Sequence, residues 1–448
     1  MRRSLTSTNW LRLVTAGATA ALVVLAVAAP VGAAAPANLV NDINPTGSSN
    51  PTQLTQVGRT LFFAADDGIH GVELWKSDGT SAGTKMVKNI RPLGKSSDPQ
   101  NLVNVNGTLF FTATDGQHGR ELWKSNGTKA GTKMIKDIVP EPAQPYVGDS
   151  LFVHERLTPI GSSVYFFNDP LYGDESQLWV SNGTAAGTRQ LASGHGLIVP
   201  GSICCSGSDW WRDAMTSIGA ASGKFYFVAQ DETSADYRLW VSDGTNAGTH
   251  RVAKSPAAQA MSIFPANGSK VYFFADGRVW RSNGTAAGTK VLTDKWEVHV
   301  PETAVLMGSR LYFGESGMDG ALWRTDGTVS GTKQVIGGAI SSLATAGGLL
   351  YWSSHSWLES SDGTAGGTQD LMAFGEWPRD LVAVGDKVLF QVNNPDAQLW
   401  VSDGTIGGTQ LVKSFASLTD VRGVALGTRL FFAAGDGVHG VELWSYTP

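Results

Sequence analysis

ELWKSDGTSAGTKMVKNI, residues 73–90, recurs as ELWKSNGTKAGTKMIKDI at 121–138. Weaker copies follow as LWVSNGTAAGT (178–188), LWVSDGTNAGT (239–249), VWRSNGTAAGT (279–289), LWRTDGTVSGT (322–332), LESSDGTAGGT (358–368) and LWVSDGTIGGT (399–409), with a truncated ELW at 442–444. The tryptophan column runs Trp75, Trp123, Trp179, Trp240, Trp280, Trp323, Trp400 and Trp444, with Glu359 standing in the seventh place. Self-similarity at a spacing near forty residues is the mark of a stacked or radial repeat.

Outward from the motif, each copy divides into four short runs rich in β-branched and aromatic residues, separated by glycine-bearing turns. In the second copy they are NLVNV, TLFFTAT, RELWKS and TKMIKDI. Neighbouring positions such as Phe110 and Phe111, or Leu122 and Trp123, point to opposite faces, so these strands are apolar on both sides. Sheets that bury both faces must be stacked, and four-stranded sheets repeated about an axis satisfy this. The expected fold is therefore all-β, a single closed β-propeller of nine four-stranded blades, or eight if the seventh, tryptophan-less repeat fails to form one. NLVNDI at 38–43 matches the fourth-strand sequence KMVKNI at 85–90, whereas the last repeat stops after its third strand. The N-terminal strand is thus expected to complete the last blade and remove its open edge.

These residues resemble the ELWxxDGT-repeat proteins of bacteria over nearly all of the chain after residue 35. The resemblance implies an exported or surface-associated, propeller-like protein and carries no assigned chemistry.

In the SDGTxxGT turn the central position is Asp78, Asn126, Asn182, Asp243, Asn283, Asp326, Asp362 or Asp403. Free exchange of carboxylate for amide argues against a metal ligand or catalytic acid. It fits an Asx-turn, in which either side chain accepts the backbone N–H two residues on. The tryptophans read as plates between blades.

Residues 1–35 read as a cleaved secretory signal, with Arg2, Arg3 and Arg12 ahead of the apolar run 20–29 and small residues to Ala35; residues 36–448 form the repeat domain. A secreted or cell-surface location follows, with no membrane span in the mature chain. The balance of 34 Lys+Arg against 39 Asp+Glu, net −5, speaks against gripping a nucleic-acid backbone. Only 2 cysteines occur among 448 residues, Cys204 and Cys205, which excludes a disulfide framework and leaves a strained vicinal disulfide, two free thiols or an intermolecular link open.

The first-to-second and third-to-fourth turns stay short throughout, and all length variation falls in the other two connections, on the opposite face. That loop-rich face is the expected ligand site. Within it, Asp209, Trp210, Trp211, Arg212 and Asp213, with Tyr172 and Trp296, are the candidate contacts. DGxHGxELW places His70, His118 and His439 on the same face in three consecutive repeats, a pattern better read as a hairpin turn than as a metal site. No metal or cofactor is expected, and a monomer is expected. The leading functional reading is an exported, non-catalytic binding or scaffold module for a glycan or protein partner. The rival is a carbohydrate-active hydrolase or lyase using Asp174, Glu175, Asp209, Asp213, Asp231, Glu232, Glu297 or Glu302, which would need two carboxyl groups across one pocket. A structural surface or matrix component is the third.

Overall fold

In the first blade the strands Thr52–Val57, Thr60–Asp66, Val72–Ser77 and Lys85–Lys88 pair in simple antiparallel order. The computed structural model describes residues 36–138, 157–168, 177–191, 218–231, 234–258, 261–293, 303–315 and 320–448. Over these, nine four-stranded sheets form the ring of a nine-bladed β-propeller. Blades 1 to 8 occupy residues 52–88, 100–136, 158–191, 218–251, 261–291, 303–337, 341–373 and 379–415. Blade 9 is made of 417–446 together with Asn38–Asn41. The first strand of each blade touches the first strand of the next, and that of blade 9 touches that of blade 1. The count exceeds the range of about 4–8 blades usual for propellers.

The core is divided among the seams. One hydrophobic cluster fills each of the nine blade-to-blade junctions; Phe62 and Leu74 of blade 1, for example, pack with Leu109, Phe111 and Trp123 of blade 2. Both faces of every sheet are thereby buried, which is why the runs lack polar alternation.

Blade 7 is complete, so the eight-blade alternative does not hold. Its register shows how the missing tryptophan is replaced. Where blade 1 sets Phe63 opposite Trp75, blade 7 sets Trp352 opposite Glu359. The large ring has moved to the neighbouring strand, and Trp352 is fully buried. Glu359 is half-buried, and burial, helped by the Asp370 charge, raises its pKa above the ordinary 4.5.

Closure rests on two devices. Asn38–Asn41 pairs with Val441–Tyr446, aligning Leu39 with Trp444. The buried Glu442 then clasps the following segment: its carboxylate accepts Ile43 N (3.1 Å), Ser49 N (3.0 Å), Ser49 Oγ (2.6 Å) and Asn44 N (3.4 Å). Glu73 does the same within the chain's run, accepting Ile90 N (2.9 Å), Arg91 N (3.0 Å) and Ser97 Oγ (2.7 Å), and Glu121 accepts Ile138 N (3.0 Å). The opening Glu of ELW is thus a fastener for the connection leaving the fourth strand.

Candidate functional site

The recurring turn is built from its own letters. Asp78 Oδ1 accepts Thr80 N (3.0 Å) and Thr80 Oγ1 (2.6 Å), and Thr80 Oγ1 accepts Gly83 N (3.0 Å). Gly79 N donates to Ser77 Oγ (2.9 Å), Ser77 Oγ and Thr84 Oγ1 lie 2.8 Å apart, and Thr84 Oγ1 donates to Thr80 O (2.7 Å). Each hydroxyl has one proton, so that of Ser77 points to Thr84. The hydroxyl-to-Asx bond recurs at 2.6–2.8 Å in all eight copies, with Asp or Asn alike. A Cβ on Gly83 would collide with Asp78 Oδ1, which accounts for the second glycine. The first glycine's carbonyl receives a bond from the preceding blade: Lys76 Nζ reaches Gly127 O (2.7 Å), Lys124 Nζ reaches Gly183 O (2.6 Å) and Arg324 Nη1 reaches Gly363 O (3.0 Å). The turns therefore spend most of their polar groups on folding and on joining blades, Asp78 through its Oδ1.

On the opposite face the three DGxHG hairpins are locked by Asp–His pairs. His70 Nδ1 lies 2.7 Å from Asp67 Oδ2, while Asp67 Oδ1 accepts His70 N (2.8 Å) and Ile69 N (2.9 Å). His118–Asp115 and His439–Asp436 repeat this, each at 2.8 Å. Among the described residues no group of three or more His, Cys, Asp or Glu is placed to hold a metal ion. The backbone bond from His439 holds the Asp436 carboxyl down to about 2, and the bond to Asp436 raises His439 above 6.5. His118 is raised likewise by its bond to Asp115. A depressed carboxylate contributes stability above its unfolded value of 3.8, lost as the pH falls toward 2. A raised imidazole contributes below 6.5, lost as the pH climbs through its folded value. Urea midpoints followed across pH should decline above 6.5 in the wild type, with a smaller decline in Asp115→Asn/Asp436→Asn, whose amides keep the turn but not the charge. Parallel pH profiles in the two proteins would refute this.

The same face carries an aromatic group at blades 7 and 8 that sequence reading did not single out. His355 lies 5.5 Å from Trp377, ring to ring, at 59°. Trp357 starts the third strand of blade 7 opposite Ser354. Phe374 N donates to Ser356 O (2.7 Å), tying the connection that carries Trp377 to the hairpin that carries His355. Trp357 and Trp377 are 42% and 48% exposed, unlike the column tryptophans. A signal was present: both lie off the repeat column, Trp357 two residues before Glu359 and Trp377 in a fourth-to-first connection.

The predicted contacts Asp209, Trp210, Trp211, Arg212, Asp213, Tyr172 and Trp296 lie outside the described residues, as do Cys204, Cys205, Asp174, Glu175, Glu232, Glu297 and Glu302. Asp231 ends the second strand of blade 4, paired in register with Ser234.

No family model and no curated protein matches the chain. Among solved structures, the eukaryotic initiation factor is similar over 83% of this chain and 88% of its own, at 10% identity and a TM-score of 0.53. The computationally designed Ika8 protein matches over 78% of this chain and 96% of its own, at 13% identity and 0.44. A prolyl endopeptidase matches over 75% of this chain at 11% identity and 0.39, and the chain spans 51% of that enzyme's length. At such identities the likeness speaks to the fold alone. Among the described residues no helix is long and apolar enough to cross a membrane.

Proposed function

We propose that the protein is an exported, non-catalytic binding module of the bacterial ELWxxDGT-repeat group, engaging a glycan on its loop-rich face. The observation that carries this is the pair of exposed rings Trp357 and Trp377, the second set against His355. Rings this exposed on a rigid scaffold are costly to leave in water and offer flat faces for a sugar ring. Export rests on the leader-like residues 1–35, and the group on the eightfold recurrence of the repeat. The repeated turns use most of their polar groups internally, as expected of a frame that presents loops. A glycan array screened with the wild type and with Trp357→Ala/Trp377→Ala tests the reading. Capture of a saccharide, weakened about tenfold or more in the variant, is expected, since each stacked ring contributes about 0.5–1.5 kcal/mol beyond its buried area. Silence across the array, with a protein captured in its place, would overturn the glycan reading. Turnover of a captured glycan would overturn the non-catalytic one.

A further inference from the structure

Far from those aromatic rings, on the short-turn face, the seam between blade 9 and blade 1 opens into a groove of about 770 Å³. That volume falls within the range of about 300–1,000 Å³ typical of ligand pockets. The residue after the column position varies around the ring: lysine in blades 1 and 2, valine in blades 3, 4 and 8, arginine in blades 5 and 6, and serine in blades 7 and 9. In blades 1 and 2 the residue after the column tryptophan is a lysine, Lys76 or Lys124, which lies along the seam to reach the next blade's glycine carbonyl. In blade 9 that residue is Ser445, paired with Phe431 just as Lys76 is paired with Phe62. No lysine stem therefore crosses this seam from the third strand. The carbonyl of Gly79 is served instead by Arg429 Nη1 (3.0 Å), reaching from the second strand, its guanidinium 5.8 Å from the Phe431 ring centre.

The lining has a definite chemistry. Arg429 meets a neutral carbonyl, not a carboxylate, in its hydrogen bond. Arg59, at the blade 1 hairpin, makes no hydrogen bond or ion pair among the described residues and also lines the groove. Against these two cations stands one carboxylate, Asp78, whose Oδ1 is taken by Thr80 and whose pKa is held below 3.8 by those bonds. Thr60, Thr80 and Gln56 add neutral polar groups. No exposed aromatic ring lines it, so stacking on a neutral sugar is not offered. A guanidinium suits a carboxylate, while hydroxyls, an amide and a carboxylate oxygen suit a polyol. We propose that this seam groove binds a carboxylate-bearing saccharide, with Arg59 and Arg429 holding the acid group and Asp78, Thr60 and Gln56 holding hydroxyls. The site is independent of the loop-rich face.

The test fills the groove by copying blade 1 into blade 9. Ser445→Lys/Arg429→Thr gives blade 9 the residues of blade 1 at both positions and should keep the unfolding midpoint of the wild type. Titration calorimetry with a galacturonic acid trimer, the neutral galactose trimer and inorganic sulfate supplies the readout. Binding of the acidic trimer by the wild type, at least tenfold weaker in the filled variant and in Arg59→Ala, is the expected result. Trp357→Ala/Trp377→Ala should leave it unchanged, so the two faces fail or succeed separately. Arg59→Ala alters an exposed hairpin residue and remains decisive if the filled variant does not fold. No binding at millimolar concentration, equal binding of the neutral trimer, or undiminished binding by the variants would overturn the proposal. Binding of sulfate alone would reduce the groove to an anion site and overturn the saccharide assignment.

Discussion

Replacing Glu442 by alanine will destabilise the propeller by about 3–5 kcal/mol, the range for breaking a buried charged network. The carboxylate is fully buried and serves four donors on residues 43–49. Alanine leaves those donors in a dry seam, each costing about 1–3 kcal/mol before relaxation. Glu73→Ala removes an analogous clasp, but one joining segments 17 to 24 residues apart, whereas Glu442 joins segments 393 to 399 residues apart. Loss of Glu442 should therefore also free the N-terminal strand, seen as protease cleavage within residues 36–51 that Glu73→Ala does not show. Burial raises the Glu442 pKa above 4.5 despite those bonds, so the folded state holds its proton more tightly than the unfolded one. The group's contribution accordingly falls as the pH rises through the window above 4.5, and Glu442→Gln should flatten that slope. A urea-unfolding change below about 1 kcal/mol for Glu442→Ala, the size of an ordinary surface effect, would contradict the clasp.

Gly327→Ala is the second large effect, at about 2–5 kcal/mol. Its φ of +86° lies in the left-handed region, and a Cβ there would stand 2.7 Å from Tyr272 Oη of the preceding blade. Backbone strain supplies about 1–2 kcal/mol and overpacking about 1–3 kcal/mol. Gly385→Ala separates the two: φ is +65° but nothing lies within 4 Å, so only the backbone part, about 1–2 kcal/mol, should appear. Tyr272→Phe introduced with Gly327→Ala should recover part of the loss, since the hydroxyl is the obstructing atom. Equal costs for the two glycine variants, measured by urea unfolding, would show that the neighbouring blade does not press on the turn.

Nine units, four strands in each, strands apolar on both faces and the borrowed closing strand were all readable from the letters. Each depends on patterns within one repeat, or on matching two segments such as 38–43 and 85–90, and a period-two chain declares its buried faces locally. The exchange of Asp for Asn at positions 78, 126 and 182 likewise declared that the turn uses an oxygen and not a charge. Other features needed the folded ring. Trp352 replacing the lost column tryptophan depends on cross-strand register, which places it opposite Glu359. The approach of His355 to Trp377, and the groove beside Arg429, depend on how one connection or blade sits against the next. Such meetings join residues as far apart as 79 and 429, and no local pattern encodes the distance between them. Strand identity is written in alternation along the chain; the side chains that share a seam are decided only when nine sheets close on themselves and each is pressed against its neighbours.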